Sequence, residues 1–212
     1  MHKKAIFFSV FASSALCLIG WIFWEHEIKY ASPTPLPDHF KDVSIGSRID
    51  LGPMNVSSGK STVLHFFNPD CPCSKFNMKD FESLSKKYAN RVNFYIVLQT
   101  DNEDAENEFK KRYELNLPVL PDRGGIISDM CGIYSTPQAV ILDKNSVIYF
   151  KGNYNKSRFC TRKQTRYVEI ALDSLVQDKP LPMFVQAELT LPYGCTLPSD
   201  ETSEKTSLLN LF

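Results

Sequence analysis

Thr62-Val63-Leu64-His65-Phe66-Phe67-Asn68-Pro69-Asp70-Cys71-Pro72-Cys73-Ser74 decides the fold. Thr62 to Phe67 is a short, β-branched and aromatic run, the pattern of a strand buried on both faces. Asn68-Pro69-Asp70 ends it. Pro72 suits the first position of a helix, where its absent N–H is not missed, so Cys71 becomes the cap residue. A sulfur placed there faces the open backbone N–H groups of Cys73 and Ser74 at the positive end of the helix, which favours thiolate over thiol. Lys75 adds to that effect, whereas the adjacent Asp70 opposes it.

The elements follow outward from this stretch. A helix is expected from Pro72 to about Tyr88, with Phe76, Phe81, Leu84 and Tyr88 inward and Lys75, Lys79, Glu82 and Lys86 outward. Val92 to Leu98 reads as a second buried strand. Thr100-Asp101-Asn102-Glu103 reads as a capping box opening a helix with Ala105, Phe109 and Tyr113 inside. Val119-Leu120 is a short strand and Ile126 to Ile133 a short helix. Beyond Pro137, Ala139–Leu142 and Val147–Phe150 form a hairpin about Asp143-Lys144-Asn145-Ser146, and a last helix spans about Gln164 to Val176. The order is α/β: early strands separated by helices should be parallel, and the hairpin adds antiparallel strands to one mixed sheet flanked by helices.

At the amino end, Lys3-Lys4 precedes an apolar run over 5–24, long enough at 1.5 Å per residue to cross a hydrocarbon core of roughly 30 Å. Trp21 and Trp24 mark its far interface, and the run ends in Trp21-Ile22-Phe23-Trp24 rather than a small-x-small cleavage site. An uncleaved transmembrane helix is the favoured reading over a signal peptide cut near Ala31-Ser32. The lysines keep residues 1–4 cytoplasmic and send the rest outward, which places the chain in a bacterial inner membrane as a single pass. Cys17, preceded by Leu16, reads as a small apolar residue of that helix. Residues 25–39, with Pro33, Pro35 and Pro37, read as a semi-rigid stalk. The domain spans 40–178, a proline-rich wrap 179–198, and a polar tail, expected to be disordered, 199–212.

Composition narrows the function. The 212 residues are 43% hydrophobic and 23% charged with 24 Lys+Arg against 24 Asp+Glu. A globular chain of zero formal charge offers no basic face for nucleic acid. Phosphate-binding glycine loops, His-Glu-x-x-His and Gly-x-Ser-x-Gly are absent.

From about Ser61 to Val176 the chain resembles the thioredoxin superfamily, above all its membrane-anchored periplasmic members. The resemblance rests on the strand Val63–Phe67, the Cys71 helix, and Ser135-Thr136-Pro137 ahead of the hairpin. It implies a thioredoxin-like fold and a thiol–disulfide oxidoreductase acting on protein thiols and disulfides in the periplasm, with no cofactor and no metal. By position Cys71 is the attacking cysteine, Pro137 the cis-proline facing it, and Thr136 the residue whose backbone binds peptide. The chain departs from the family at two positions. Ser74 stands where the resolving cysteine belongs, and Asp70 where a tryptophan is usual.

Cys73, one residue closer than a standard partner, could form a strained and oxidising couple with Cys71. Alternatively Cys71 is resolved by another cysteine or an outside thiol. Inert pairing of Cys71 with Cys73 is the bland alternative, but structural bridges usually close longer loops. For Cys160 and Cys195 the favoured reading is a structural disulfide pinning the wrap, and the sharper one is that one of them resolves Cys71. Cys131 and His65 read as core residues. A Cu(I) carrier using Cys-x-Cys and a redox-silent interaction module are the competing functions; a carrier of this fold would add a distal histidine, and none follows His65. A peroxidase lacks its Pro-x-x-x-Thr-x-x-Cys context.

Overall fold

The computed structural model describes residues 2–28, 32–50, 52–54, 56–57, 59–100, 102, 104–156, 163–188 and 191–198. Helix α1 (His2–Phe23) is followed by a π-helical turn, Trp24–Ile28. Its span Lys3–Phe23 has a mean hydropathy of 2.2 and is not buried by the rest of the chain, so it is long and apolar enough to cross a membrane.

The domain is built from β1 (Ser61–Phe67), α2 (Pro72–Tyr88), β2 (Val92–Leu98), α3 (Ala105–Tyr113), β3 (Val119–Pro121), α4 (Ile126–Cys131), β4 (Ser135–Thr136), β5 (Gln138–Leu142), β6 (Ile148–Gly152) and α5 (Tyr167–Leu175). The helix α6 (Met183–Glu188) and strand β7 (Cys195–Thr196) complete it. The main sheet has the order β3-β2-β1-β5-β6. Strands β1, β2 and β3 are parallel, while β5 runs antiparallel to both β1 and β6. This is the mixed sheet expected of a thioredoxin-like fold.

Alternation along the strands feeds two cores. Val63, Phe67, Phe94, Ile141 and Phe150 meet α2, α3 and α5 through Phe81, Tyr88, Phe109, Val168 and Leu172. Leu64, Phe66, Val97, Val140 and Leu142 meet α4 through Ile127 and Cys131 on the other face. His65 is fully buried and stacked on Phe81 at 4.2 Å, with Nδ1 2.7 Å from the Tyr154 hydroxyl. Burial pushes its pKa down to about 3, so it is a neutral core residue.

Three details differ from the sequence reading. Phe76 is exposed, because Cys73, Ser74 and Asn77 fill the inner face of the first helical turns. The helix starts later than the Thr100 cap implied: its N-cap is Asp104, while Thr100 Oγ1 accepts from Asn102 N and Asn102 Oδ1 from Asp104 N, two local turns ahead of α3. Asp101 and Glu103 lie outside the described residues. The proline segment is no free stalk, since Pro33 bridges Tyr193 and Thr34 N donates to the Pro192 carbonyl at 2.9 Å. The tail 199–212 lies outside the described residues.

Candidate active site

The turn that carries Cys71 is held by its neighbours in sequence. The turn after β1 is closed by Asp70 N donating to Asn68 Oδ1 at 2.8 Å and Cys71 N donating to the Asn68 carbonyl at 3.1 Å. Asn68 N donates to Ser74 Oγ at 3.3 Å, so the serine in the resolving position ties the helix start back to the strand end. Pro72 occupies the first helical position and Cys71 is the N-cap, with extended φ and ψ. Its sulfur makes no capping hydrogen bond; it lies 3.6 Å from the Thr136 carbonyl oxygen. The Thr136–Pro137 peptide bond is cis, and Thr136 is fully buried.

Cys71 forms a disulfide, and its partner is Cys195, with Cα atoms 5.9 Å apart. The wrap delivers Cys195 there as β7, which pairs antiparallel with β4 in the register Ser135↔Thr196 and Thr136↔Cys195. Two expectations change. Cys195 does not pair with Cys160, which lies outside the described residues. Cys73 stays outside the disulfide and is fully buried. The reason is helical geometry: residues two apart point to different sides of a helix, so when Cys71 faces β4, Cys73 turns into the core.

The wrap's approach is close. Gly194 has φ +133°, and a Cβ built on it would overlap the Thr136 carbonyl oxygen. Leu191 and Tyr193 fasten the wrap to the Asn153–Asn155 segment, through Asn153 Nδ2 donating to the Leu191 carbonyl at 3.2 Å and the Tyr193 hydroxyl donating to the Asn155 carbonyl. On the far side the linker joins in, with Thr34 and Ser135 hydroxyls 2.8 Å apart. A cavity of about 500 Å³ opens over the disulfide, lined by Thr34, Asn68, Asp70, Cys71 and Cys195 and reached by Trp24. Cys195 is half-buried and Cys71 only 1% exposed, so the sulfur an incoming group meets is that of Cys195.

Cys131 is poorly suited to act as a nucleophile: burial, with Asp122 nearby, pushes its pKa up to about 12. No group of three or more His, Cys, Asp or Glu is placed to hold a metal among the described residues. The Cys-x-Cys pair that a copper carrier would use is divided here between a disulfide and the core.

The family described as a domain of unknown function, DUF6436, matches residues 46–196, a stretch that includes both Cys71 and Cys195. The thioredoxin-like protein YneN of Bacillus subtilis is 33% identical over 143 residues, 63% of this chain and 82% of that protein. The thiol-disulfide oxidoreductase ResA of Bacillus thuringiensis subsp. konkukian is 28% identical over 167 residues, covering 74% of this chain and 94% of its own length. Among solved structures, a hypothetical protein, SMc02350 of Sinorhizobium meliloti, superposes with a TM-score of 0.61 at 14% identity, over 74% of this chain and 96% of that one. That likeness is one of fold.

Proposed function

This chain belongs to the DUF6436 family and to the thioredoxin-like proteins, and on that premise we propose that it is a thiol–disulfide oxidoreductase whose working couple is Cys71 and Cys195. One observation carries the assignment: a disulfide joins the cysteine at the α2 N-cap to a cysteine seated beside cis-Pro137. A relative is named as a thiol-disulfide oxidoreductase, which agrees with it. The apolar α1 anchors the domain, and Lys3-Lys4 ahead of it orient the domain outside the cytoplasm, in the periplasm, where protein disulfides persist.

Electrons flow from the reduced couple to a partner disulfide. The Cys71 thiolate attacks one partner sulfur; the partner S–S bond breaks, and its second sulfur leaves as a thiolate and takes a proton. Cys195 then attacks the Cys71 sulfur of the mixed disulfide. The second partner thiolate departs, and the Cys71–Cys195 disulfide remains. Regeneration needs an external dithiol protein. Its thiolate attacks the half-buried Cys195 sulfur, Cys71 leaves as thiolate, and the donor's second thiol resolves the new mixed disulfide. Two electrons pass from donor dithiol to couple to partner disulfide. Cys73 takes no part, and Thr136 and Pro137 form the edge on which the partner lies.

The test is a redox titration of the full chain in detergent against dithiothreitol buffers, with mass-tagged alkylation and peptide mapping. A reversible two-electron transition assigned to Cys71 and Cys195, retained in Cys73→Ser, supports the reading. Cys195→Ser should accumulate mixed disulfides on Cys71. Absence of a reversible transition, or one that needs Cys73, overturns it.

A further inference from the structure

The segment that brings Cys195 to Cys71 lies as an added strand on the edge at which a partner would dock. It is not a bare loop end. Cys195 and Thr196 extend a ladder from Thr136 and Ser135, Gly194 lies against the Thr136 carbonyl, and Leu197 behind them is buried. On its outer side the same segment carries the linker, through the Pro33–Tyr193 bridge and the Thr34 N to Pro192 carbonyl bond. The strap is therefore held between the linker and the cis-proline edge, the linker also reaches that edge through the Thr34 and Ser135 hydroxyls, and a bond that reduction breaks fixes the strap to the floor of the site.

We propose that residues 192–197 are an internal stand-in for the partner: while Cys71–Cys195 is intact the strap fills the docking edge at Ser135–Thr136, and reduction releases it so that an extended, cysteine-bearing segment of another polypeptide can add there instead. The inference rests on Cys71–Cys195 being a redox couple. The occupant's chemistry is read from the strap itself. Antiparallel main-chain pairing selects an extended segment, and the sulfur position opposite Cys71 selects a cysteine at the residue that pairs with Thr136. The residue before that cysteine passes against the Thr136 carbonyl, where a Cβ does not fit and glycine does.

Two consequences follow. The oxidised product cannot rebind a partner disulfide, because the strap excludes it, so the docking edge opens only when Cys71 is a thiol able to react. Release of the strap also removes the linker's bonds to it at Pro33–Thr34 and leaves the Thr34–Ser135 hydroxyl pair as the linker's hold on the edge. The reduction itself balances as above: an external dithiol supplies two electrons and two protons, and the couple becomes two thiols.

The experiment is amide hydrogen exchange on the full chain in detergent micelles, oxidised with diamide or reduced with dithiothreitol, while mass-tagged alkylation of the same samples reports the state of each cysteine. The probe is a synthetic peptide of residues 191–198 with Cys195→Ser, which can dock but cannot exchange. Reduction is expected to speed exchange together at Thr34, 135–136 and 195–196. Added peptide should restore protection at 135–136 in the reduced chain and leave the oxidised chain unchanged. Gly194→Ala, which keeps every cysteine, should unseat the strap, raising the equilibrium constant for reduction by about tenfold, because its side chain meets the Thr136 carbonyl. Unchanged protection at 135–136 after verified reduction, or peptide binding equally to both forms, overturns the proposal. If alkylation shows a reversible Cys71–Cys195 couple while protection stays fixed, the strap inference fails and the oxidoreductase reading stands. If the couple does not titrate reversibly, the reading itself fails.

Discussion

The direction of electron flow depends on how strongly the folded domain favours the Cys71–Cys195 bond, and that can be measured through stability. The bond closes a loop with a sequence separation of 124. In the chain-entropy treatment a loop of this size restricts the unfolded chain by about 5 kcal/mol, and native disulfides deliver about 2–5 kcal/mol when removed. The oxidised domain should therefore resist unfolding more than the reduced one by that amount. For a domain of this size each kcal/mol moves the midpoint by about 2–4 °C, so reduction should lower Tm by about 5–20 °C. A thermodynamic cycle ties this to the potential: at 30 mV per 1.4 kcal/mol for two electrons, the couple in the folded domain lies about 40–110 mV more negative than in the unfolded chain. A negative potential makes the reduced form an electron donor, the direction proposed above. Melts of the full chain in detergent with and without dithiothreitol, repeated on Cys71→Ser/Cys195→Ser, supply the first number, and the dithiothreitol titration in 8 M urea and in buffer supplies the second. A reduced form that melts at or above the oxidised one would refute the reasoning and turn the protein into an oxidant.

Three further outcomes test the frame around the site. His65, with its folded pKa pushed down to about 3 by burial, stays neutral while the unfolded imidazole protonates below about 6.5. Stability it contributes is therefore present above that pH and lost as pH falls; urea midpoints should show about 2 kcal/mol lost between pH 7 and 5, and His65→Gln should lose that much less. Asp122, 3% exposed, accepts from Gln99 Nε2, Ile127 N, and the backbone and hydroxyl of Ser128. Asp122→Ala leaves buried donors unmatched and should cost about 3 kcal/mol by urea denaturation, with Asp122→Asn costing less. Gly132 caps α4 with φ +61°, and a Cβ there would sit 2.7 Å from Val43 N. Gly132→Ala should destabilise by about 1–3 kcal/mol and loosen the Lys151 contacts with the carbonyls of Val43 and Gly132, seen as faster exchange at 43–44.

Local patterns carried much of the architecture. Thr62–Phe67 and Val92–Leu98 are mostly apolar at both odd and even positions because both faces of those strands are covered. The amphipathic stripe from Phe81 to Tyr88 follows from a helix covering one of them. Pro72 placed the helix start and hence the cap, since a residue without an N–H and with fixed φ fits the first turn. Thr136-Pro137 ahead of a hairpin marked the other wall of the site. Each of these is set by a few neighbours in the chain, so each is legible from residues alone.

What paired with Cys71 was legible only as the less favoured alternative, that Cys160 or Cys195 resolves it. Cys73 is two residues away and Cys195 is 124 away, yet the near cysteine is turned into the core by the helix it belongs to, and the far one arrives on a strand. Tyr193-Gly194-Cys195 carries one signal in retrospect: a glycine next to a cysteine, at a place where only a residue without a side chain passes the Thr136 carbonyl. The linker's docking was hidden, because an extended proline segment looks the same whether water or a neighbouring strand satisfies Thr34. Backbone periodicity determines which face a residue presents. Which distant segment meets that face is decided by tertiary packing, and here that choice determines which sulfur completes the couple.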